Sequence, residues 1–469
     1  MRRILLGLLA LSAFSFGALL SPVVAQTRKI EFPFRDRAQL AELEATGAYE
    51  IVEVHGNRAV ALHTVDASQR NAPQLAGVHV LAGNIDDELA RFRAAGNVGK
   101  YHTPDSAAAE LKALADKYPT LCKVESIGKT FEGRDMWVLR ITGAADTTKV
   151  PRMLIFGLIH AREWISQELP FHVIHKLLDN YATDPAMKAL VDGHAFWIMP
   201  VTNPDGLAYS QTSYSMWRKN RSKAAGTSQV GVDVNRNFEV GWGAGSSASP
   251  SSDVYRGTKF NSELETQNLL ALVAREKFNV SLSLHSYSEL ILYPWGFSEN
   301  DPPGKDTFVK HGQEMAKANS YRPGSVAQIL YTAGGATDDT FFSKYGCWTW
   351  TFELAQEFAP PDTEIQSICD LNWPAVLHLM NASNDLAATP PPPAPAASAI
   401  ERLAQLEGAW RDARLAPIFS APGAADPLTT LMGTVSSDMA NDPFLAGEVE
   451  RRAHDANTAT LYKSLLGGF

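Results

Sequence analysis

Apolar runs and amphipathic stretches alternate through most of the chain between residues 101 and 386. The runs are short enough to be buried strands, and the stretches between them space their apolar side chains as one face of a helix does. The main strand-like runs lie at 137–141, 153–159, 195–201, 280–284 and 348–353. Strands that alternate with helices predict an α/β fold, in which a mixed, mainly parallel twisted sheet carries helices on both faces.

A smaller unit is predicted ahead of this region, over residues 26–97. Its patterns are those of a strand, a helix, a hairpin that turns at Gly56-Asn57, a short strand and a charged helix. These elements are predicted at 29–34, 38–46, 49–63, 78–81 and 86–95. We expect a small α/β domain with one of two roles. It is either a propeptide that covers the cleft of an enzyme until it is removed, or a permanent N-terminal domain.

The start of the chain has the composition of a targeting segment. Arg2 and Arg3 form a short basic region, an apolar run follows over 4–20, and the small residues at 23–25 are typical of a cleavage site. The apolar run is short for a membrane-spanning helix. These features predict a signal peptide over 1–25 and a secreted or periplasmic protein.

The other end of the chain changes composition after residue 386. A stiff, proline-rich linker is predicted at 387–398, and it separates the large domain, 98–386, from a tail at 399–469. The tail is predicted to be partly helical. It is too small to promise an independent core, and the sequence assigns it no role.

Composition narrows the classes of function. The chain has 469 residues, 45% of them hydrophobic and 20% charged, as in a globular protein with a sizeable core. A net charge of −9 gives no reason to expect nucleic acid or an anionic membrane as a partner. Beyond the N-terminal segment, no run of residues is long enough to span a bilayer. The cysteines, Cys122, Cys347 and Cys369, allow at most one disulfide bond.

Candidate metal ligands follow two of the predicted strands. His160 and Glu163 come directly after the run 153–159, and His285 comes directly after the run 280–284. Ligands of open α/β sheets bind beyond the carboxyl ends of strands, and catalytic zinc sites combine histidine and carboxylate ligands with one open position. By itself, a His-x-x-Glu pair is also typical of the first turn of a surface helix.

Three motifs taken together favour the metal site. His160-Ala-Arg-Glu163-Trp, His285-Ser-Tyr-Ser and Thr-Phe-Glu353-Leu resemble, in this order, the zinc metallocarboxypeptidases of the carboxypeptidase A/B family, and the resemblance covers 101–386. It implies a secreted, bacterial member of that family, with one Zn²⁺ held by His160, Glu163 and His285. It also implies that Glu353 is the general acid/base. The aromatic residues before Glu353 are expected to raise its pKa towards that task.

The resemblance also implies roles for charged residues beside the metal. Trp-Arg218-Lys-Asn-Arg221 matches the arginine pair of the family. Arg221 corresponds to the residue that stabilises the oxyanion, and Arg218 corresponds to an arginine of a substrate subsite. Asp233 corresponds to a residue that orients a metal-binding histidine, here His160. Without the resemblance, the two arginines would be interpreted as part of a solvated basic loop.

A further group of residues is expected to recognise the substrate. By resemblance, Asn235 and Arg236 bind the terminal carboxylate, and Tyr331 is the mobile tyrosine that closes over the substrate. Asp338 corresponds to the base of the side-chain pocket, where a carboxylate is typical of members that remove C-terminal Lys or Arg. Asp339 follows it, and the second acid is expected to be structural. Some relatives with such an acid also accept apolar residues, so a mixed preference stays open.

The sequence therefore predicts a secreted zinc carboxypeptidase that is made as a proenzyme and activated by a protease. Its expected substrates are the C-termini of peptides and proteins, with a basic or mixed side-chain preference. Two other interpretations stay open at this point. One is a related zinc amidase that acts on cell-wall peptides and would not need the residues for the terminal carboxylate. The other is a catalytically silent relative that serves as a binding module.

Overall fold

The computed structural model describes residues 26–46, 48–65, 75–83, 85, 98–223 and 230–391. The predicted signal peptide at 1–25, the charged helix predicted at 86–95 and the tail at 399–469 lie outside these residues. Within the described ranges, no helix has the length and apolar character that crossing a membrane requires.

In its described residues, the N-terminal unit is a four-stranded antiparallel sheet with one helix. Its elements are β1 (Gln26–Pro33), α1 (Arg37–Ala45), β2 (Tyr49–His55), β3 (Arg58–Val65) and β4 (His79–Ala82), and the sheet order is β2-β3-β1-β4. The predicted hairpin turn is confirmed, because Gly56 joins β2 to β3 with a φ of 60°, a conformation open to glycine. Asp36 caps α1 by accepting a hydrogen bond from the backbone N–H of Gln39.

The large domain contains an eight-stranded sheet. Its strands are β5 (Cys122–Lys129), β6 (Asp135–Ile141), β7 (Arg152–Gly157), β8 (Ala195–Met199), β9 (Val280–Ser286), β10 (Leu290–Tyr293), β11 (Arg322–Ser325) and β12 (Trp348–Leu354). The order across the sheet is β11-β10-β12-β9-β7-β8-β6-β5. The central strands β12, β9, β7 and β8 are parallel, and antiparallel pairing begins on both sides of them. The predicted mixed, mainly parallel sheet is confirmed.

Helices of the large domain pack around this sheet. They are α2 (Pro104–Lys117), α3 (Ile165–Asn180), α4 (Pro185–Gly193), α5 (Pro204–Thr212), α6 (Leu264–Glu276), α7 (Lys305–Asn319), α8 (Val326–Ile329), α9 (Thr337–Tyr345) and α10 (Ile365–Ala388). The last helix ends inside the linker predicted at 387–398.

Alternation along β7 separates two apolar cores. Met153 and Ile155 belong to the core that α3 and α10 share, whereas Leu154 and Phe156 belong to the core that α6 and α9 share. Because successive side chains of a strand point to opposite faces, helices cover both faces of the sheet, as predicted. Burial on both faces also explains why β7 is an uninterrupted apolar run.

The turn after β7 brings the first two candidate ligands to the carboxyl edge of the sheet. Gly157 lies so close to α3 that a Cβ atom there would clash with the carbonyl oxygen of Ser166. Leu158 then adopts a φ of 53°, which turns the chain away from the strand. His160 and Glu163 follow this turn, beside the end of β9.

Candidate active site

The three candidate ligands converge at the carboxyl edge of the sheet. Nδ1 of His160 lies 2.7 Å from Oε1 of Glu163, and Nδ1 of His285 lies 3.0 Å from Oε2 of the same carboxylate. The two imidazole nitrogens are 3.1 Å apart. All three side chains are buried, and one ligand atom from each lies within 4.8 Å of the others. The cluster therefore has the spacing to hold one metal ion.

The second nitrogen of His160 contacts Asp233. Its Nε2 lies 3.2 Å from Oδ1 of Asp233. An ionised carboxylate only accepts hydrogen bonds, so a proton on Nε2 would be donated to Asp233, and in that tautomer the ring would present the lone pair of Nδ1 to a metal ion. Burial would raise the pKa of Asp233, but Arg218 and His160 hold that pKa well below its ordinary range. Asp233 thus lies where a residue that orients His160 must lie.

The donor set fits zinc. Two imidazole nitrogens and a carboxylate oxygen are ligands that Zn²⁺ takes in catalytic sites. Burial would raise the pKa of Glu163, but the two histidines lower it below its ordinary range, so the carboxylate is ionised. Among the residues that the structure describes, no other group of three or more His, Cys, Asp or Glu side chains meets the same spacing.

Glu353 lies beside this cluster. It is near the end of β12, in register with His285 on β9, and it lines the same cavity as the three candidate ligands. Burial raises the pKa of Glu353 to about 8, in the direction that the aromatic run before it predicts. The carboxyl group can therefore take up and release a proton near neutral pH.

The residues expected to bind the terminal carboxylate line the same cavity. Nη2 of Arg236 donates a hydrogen bond to the hydroxyl of Tyr331 at 3.1 Å. Oδ1 of Asn235 accepts one from the backbone N–H of Thr337 at 3.0 Å. Burial raises the pKa of Tyr331 above its ordinary value, so the hydroxyl keeps its proton. The structure thus brings Asn235, Arg236 and Tyr331 together with the candidate metal ligands and Glu353.

Known proteins are similar to this chain in sequence and in fold. The family profile described as zinc carboxypeptidase matches residues 107–375. This chain belongs to the zinc carboxypeptidase family. Carboxypeptidase A2 of Rattus norvegicus is 33% identical over 301 residues, 62% of this chain and 72% of the relative. Carboxypeptidase A1 of Bos taurus is 34% identical over 297 residues, 61% of this chain and 70% of the relative. The crystal structure of the carboxypeptidase A from Helicoverpa armigera has the same fold, with a TM-score of 0.69 at 24% identity, over 79% of this chain and 100% of that one.

Membership of this family makes the protein a metallocarboxypeptidase, a hydrolase that uses one Zn²⁺. The cluster of His160, Glu163 and His285 is the place in the described chain whose donors fit that ion.

The two predicted arginines of this carboxypeptidase have different surroundings. Arg218 lines the cavity, and its Nη1 lies 3.9 Å from Oε1 of Glu163. The guanidinium of Arg221 instead lies 3.6 Å from the ring centre of Tyr209, and Arg221 is not among the described residues that line the cavity. This placement corrects the expectation that Arg221 stabilises the oxyanion, because only Arg218 of the pair is within reach of the cluster. Spacing along a loop does not reveal which side chain points inward.

The two adjacent acids at the start of α9 also have separate surroundings. Asp338 lines the cavity, and its carboxylate accepts a hydrogen bond from the hydroxyl of Thr351 at 2.7 Å. Asp339 accepts hydrogen bonds from the backbone N–H groups of Gly296 and Phe297 at 2.9 and 3.0 Å. Burial raises the pKa of both carboxyl groups. Asp339 therefore holds a neighbouring loop, and Asp338 faces the cavity.

A carboxylate of the N-terminal unit enters the same cavity. Glu50 on β2 lines it, accepts a hydrogen bond from Nη1 of Arg218 at 2.8 Å and forms an ion pair with Nη2 of Arg162. Burial would raise the pKa of Glu50, but the two arginines lower it. The N-terminal unit thus contributes a buried negative charge beside the candidate metal ligands.

Sequence reasoning missed both Arg162 and Glu50. Arg162 lies inside the His160-x-x-Glu163 motif. A positive charge in a turn that follows a buried strand could have indicated that this residue belongs to the site. No comparable signal marked Glu50, because the sequence pattern of its strand is typical of an ordinary half-exposed hairpin. Only the docking of β2 against the large domain turns this side chain into the cavity.

Proposed function

We propose that this carboxypeptidase removes residues one at a time from the C-termini of peptides and proteins, with a preference for Lys and Arg. The observation that carries the preference is Asp338, a buried carboxylate that lines the cavity. Burial raises its pKa, which a hydrogen bond from Thr351, the charge of His285 and a hydrogen bond from Thr337 lower only in part, and no lysine or arginine of the described chain is among these groups. A carboxylate buried without a cation is costly, and the side chain of a basic substrate would supply the cation. Because the relatives are named carboxypeptidases A, the test includes apolar substrates.

Glu353 is the proposed base and acid of the reaction. Its carboxylate takes a proton from the attacking water, and the resulting carboxylic acid gives the proton to the leaving amine. Zinc bound by His160, Glu163 and His285 would polarise the scissile carbonyl and make the water more acidic. Burial of Glu353 raises its pKa to about 8, so both proton transfers are accessible near neutral pH.

Arg218 is the proposed partner of the carbonyl oxygen as negative charge develops on it. A fixed guanidinium beside the ligands needs no rearrangement at that moment, which makes it an effective stabiliser of an oxyanion. Arg236 is proposed to bind the terminal carboxylate through paired N–H groups, with Asn235 and Tyr331 as further donors. Since only the last residue of a peptide carries that carboxylate, this recognition directs cleavage to the last bond.

The N-terminal unit, 26–97, is the proposed inhibitory propeptide. Its Glu50 pairs with Arg218, so the guanidinium that the carbonyl oxygen would need is already neutralised. Removal of the unit by an activating protease would free Arg162 and Arg218 together. Together with the signal peptide proposed at 1–25, this arrangement suits an enzyme that is exported in an inactive form and activated outside the cytoplasm.

The test uses the full chain, zinc-loaded and processed by limited proteolysis, on blocked dipeptides that end in Arg, Lys, Phe, Leu or Glu. We expect chelator-sensitive release of Arg and Lys. In Asp338→Ala this release should fall about 10- to 100-fold, because a hydrogen-bonded charge pair contributes roughly 1.5–3 kcal/mol. The matched control is Asp306→Ala, an exposed acid on α7, which should behave as the wild type.

Two other outcomes would change the proposal. Equal release of Phe and Leu that Asp338→Ala leaves unchanged would keep the carboxypeptidase and remove the basic preference. No release from any dipeptide by the zinc-loaded, processed chain would favour the amidase that acts on cell-wall peptides.

A further inference from the structure

Asn220 is the centre of a buried polar network behind the cavity. Its side-chain NH₂ group donates to Oε2 of Glu263 at 2.8 Å and to Oε2 of Glu265 at 2.9 Å. Its side-chain oxygen accepts from the backbone N–H of Val232 at 2.8 Å and from the hydroxyl of Ser222 at 3.2 Å. The residue is 0% exposed, and its hydrogen bonds to Glu263, Glu265 and Val232 are buried, so they are costly to lose.

The network joins the two chain segments that carry charged residues of the site. The backbone N–H of Asn220 donates to the carbonyl oxygen of Val232 at 3.0 Å, which sets the register of one segment against the other. Arg218 precedes Asn220 on the first segment, and Asp233 follows Val232 on the second. Nε and Nη2 of Arg218 lie 3.0 and 2.9 Å from Oδ2 of Asp233. The position of this guanidinium therefore depends on the register that Asn220 sets.

The two carboxylates tie this register to helix α6. Glu263 is the N-cap residue of α6, and Glu265 lies in its first turn. Oε1 of Glu263 also accepts from the hydroxyl of Ser262 at 2.6 Å, and its backbone N–H donates to Oδ1 of Asn237 at 3.1 Å. Hydrogen bonds between buried polar groups are costly to break, so the segment is held firmly against helix α6.

We propose that Asn220 is a positioning residue for peptide hydrolysis: its amide, held by Glu263 and Glu265, sets the place of Arg218 beside the scissile carbonyl. This inference rests on the role proposed above for Arg218. Asn220 itself is not among the described residues that line the cavity, so it acts through Arg218 and not by contact with the substrate.

The first variant is Asn220→Asp, which keeps the shape of the side chain and replaces the donor group by a third carboxylate. It is assayed in the full chain, zinc-loaded and processed by limited proteolysis, on a blocked dipeptide that ends in Arg. We expect kcat to fall about 10- to 100-fold and KM to stay within about threefold, because Arg218 acts on charge that develops in the transition state. The matched control is Asn381→Asp, an exposed amide on α10, which should leave kcat unchanged.

A double-mutant cycle with Arg218→Lys separates positioning from a general loss of structure. If Asn220 acts through Arg218, adding Asn220→Asp to Arg218→Lys should lower kcat by less than about threefold further. If the fold-decreases in kcat of the two single variants instead multiply in the double variant, the proposal is overturned. An unchanged kcat in Asn220→Asp beside an active wild type would also overturn it, whereas an inactive wild type would overturn the proposed function itself.

The second variant covers the case in which three facing carboxylates prevent folding. Asn220→Asp combined with Glu263→Gln keeps the charge of the network and reverses the direction of one hydrogen bond. Burial raises the pKa of Glu265 to about 7, so its carboxyl group can carry a proton and donate it to the new acid. We expect this variant to fold and to reach a kcat within about tenfold of the wild type. A folded variant with kcat lowered more than about 100-fold would contradict the inference.

Discussion

Glu353 lies in register with His285 on the neighbouring parallel strand of the central sheet. The proposed base and a proposed metal ligand, which are far apart in the sequence, are thus held one strand spacing apart, about 4.8 Å. Both strands are buried in the middle of the sheet. The distance between the proposed proton acceptor and the proposed metal site is therefore set by the pairing of two buried strands.

Replacing Glu353 by Gln should lower kcat by about 10²- to 10⁴-fold, because an amide of the same size cannot take the proton from water. Zinc should stay bound, since the three proposed ligands are unchanged. Steady-state kinetics and metal analysis of the processed enzyme measure both quantities. The control is Glu314→Gln, a surface residue of α7 that pairs with Lys317. Activity of the Glu353 variant within about tenfold of the wild type would exclude this residue as the proton carrier.

Replacing Asp233 by Asn should weaken zinc binding without removing a ligand. The neutral amide lacks the charge with which Asp233 holds Nε2 of His160, and the loss of such a partner typically costs about 10- to 100-fold in metal affinity. Competition with a chelator measures the change. For comparison, Glu163→Gln removes a ligand and should abolish stoichiometric zinc and lower the unfolding temperature, because bound metal stabilises the folded state. Identical chelator midpoints for the wild type and Asp233→Asn would contradict this role.

Replacing Glu50 by Gln should raise the activity of the unprocessed chain by about tenfold or more. The neutral amide cannot neutralise Arg162 and Arg218, and breaking one side of a buried charge pair is strongly destabilising. Hydrolysis is measured on chain shown by mass spectrometry to be intact. Glu53→Gln is the control, since Glu53 pairs with Lys29 inside the N-terminal sheet. After processing, the variant and the wild type should be equally active. Equal activity before processing would count against an inhibitory role for Glu50.

The stability of the enzyme should fall as the pH rises through about 9. Nδ1 and Nε2 of His102 each lie 2.8 Å from a carboxylate oxygen, of Glu168 and Glu110 respectively. Burial would lower the pKa of His102, but these two hydrogen bonds outweigh burial and raise it from 6.5 to about 9. The pKa of His102 is thus higher in the folded state than in the unfolded state. The contribution of His102 to the free energy of unfolding is therefore fully present below pH 6.5, and it is lost as the pH rises through about 9.

Denaturant unfolding at a series of pH values measures this dependence. The variant His102→Gln cannot titrate, so its free energy of unfolding should be lower by about 1–3 kcal/mol at pH 6.5 and should change less between pH 6.5 and 9.5. His55→Gln, at an exposed position of the N-terminal sheet, serves as the control. Parallel pH curves for the wild type and His102→Gln would show that His102 does not carry the effect.

Local patterns in the sequence were enough for the sheet and the helices on its two faces, and they placed the candidate metal ligands at one edge of the sheet. The apolar run of β7 predicts a strand buried on both sides, and His160 and Glu163 follow it at once, so their place at the edge of the sheet needs no long-range information. The same holds for His285 after β9. Because the carboxyl ends of parallel strands meet at one edge of a sheet, strand order and direction suffice to bring the three side chains together.

The sequence by itself determined the strands of the central sheet and the candidate groups that follow them, because strand periodicity and short motifs are local properties of the chain. Only the tertiary structure decided which of them face the cavity. Arg218 and Arg221 lie on one loop, and the network of Asn220 turns the first of them inward. Glu50 reaches the cavity solely because one folded unit docks on the other. Such side-chain directions depend on contacts between distant segments, and no local pattern encodes them.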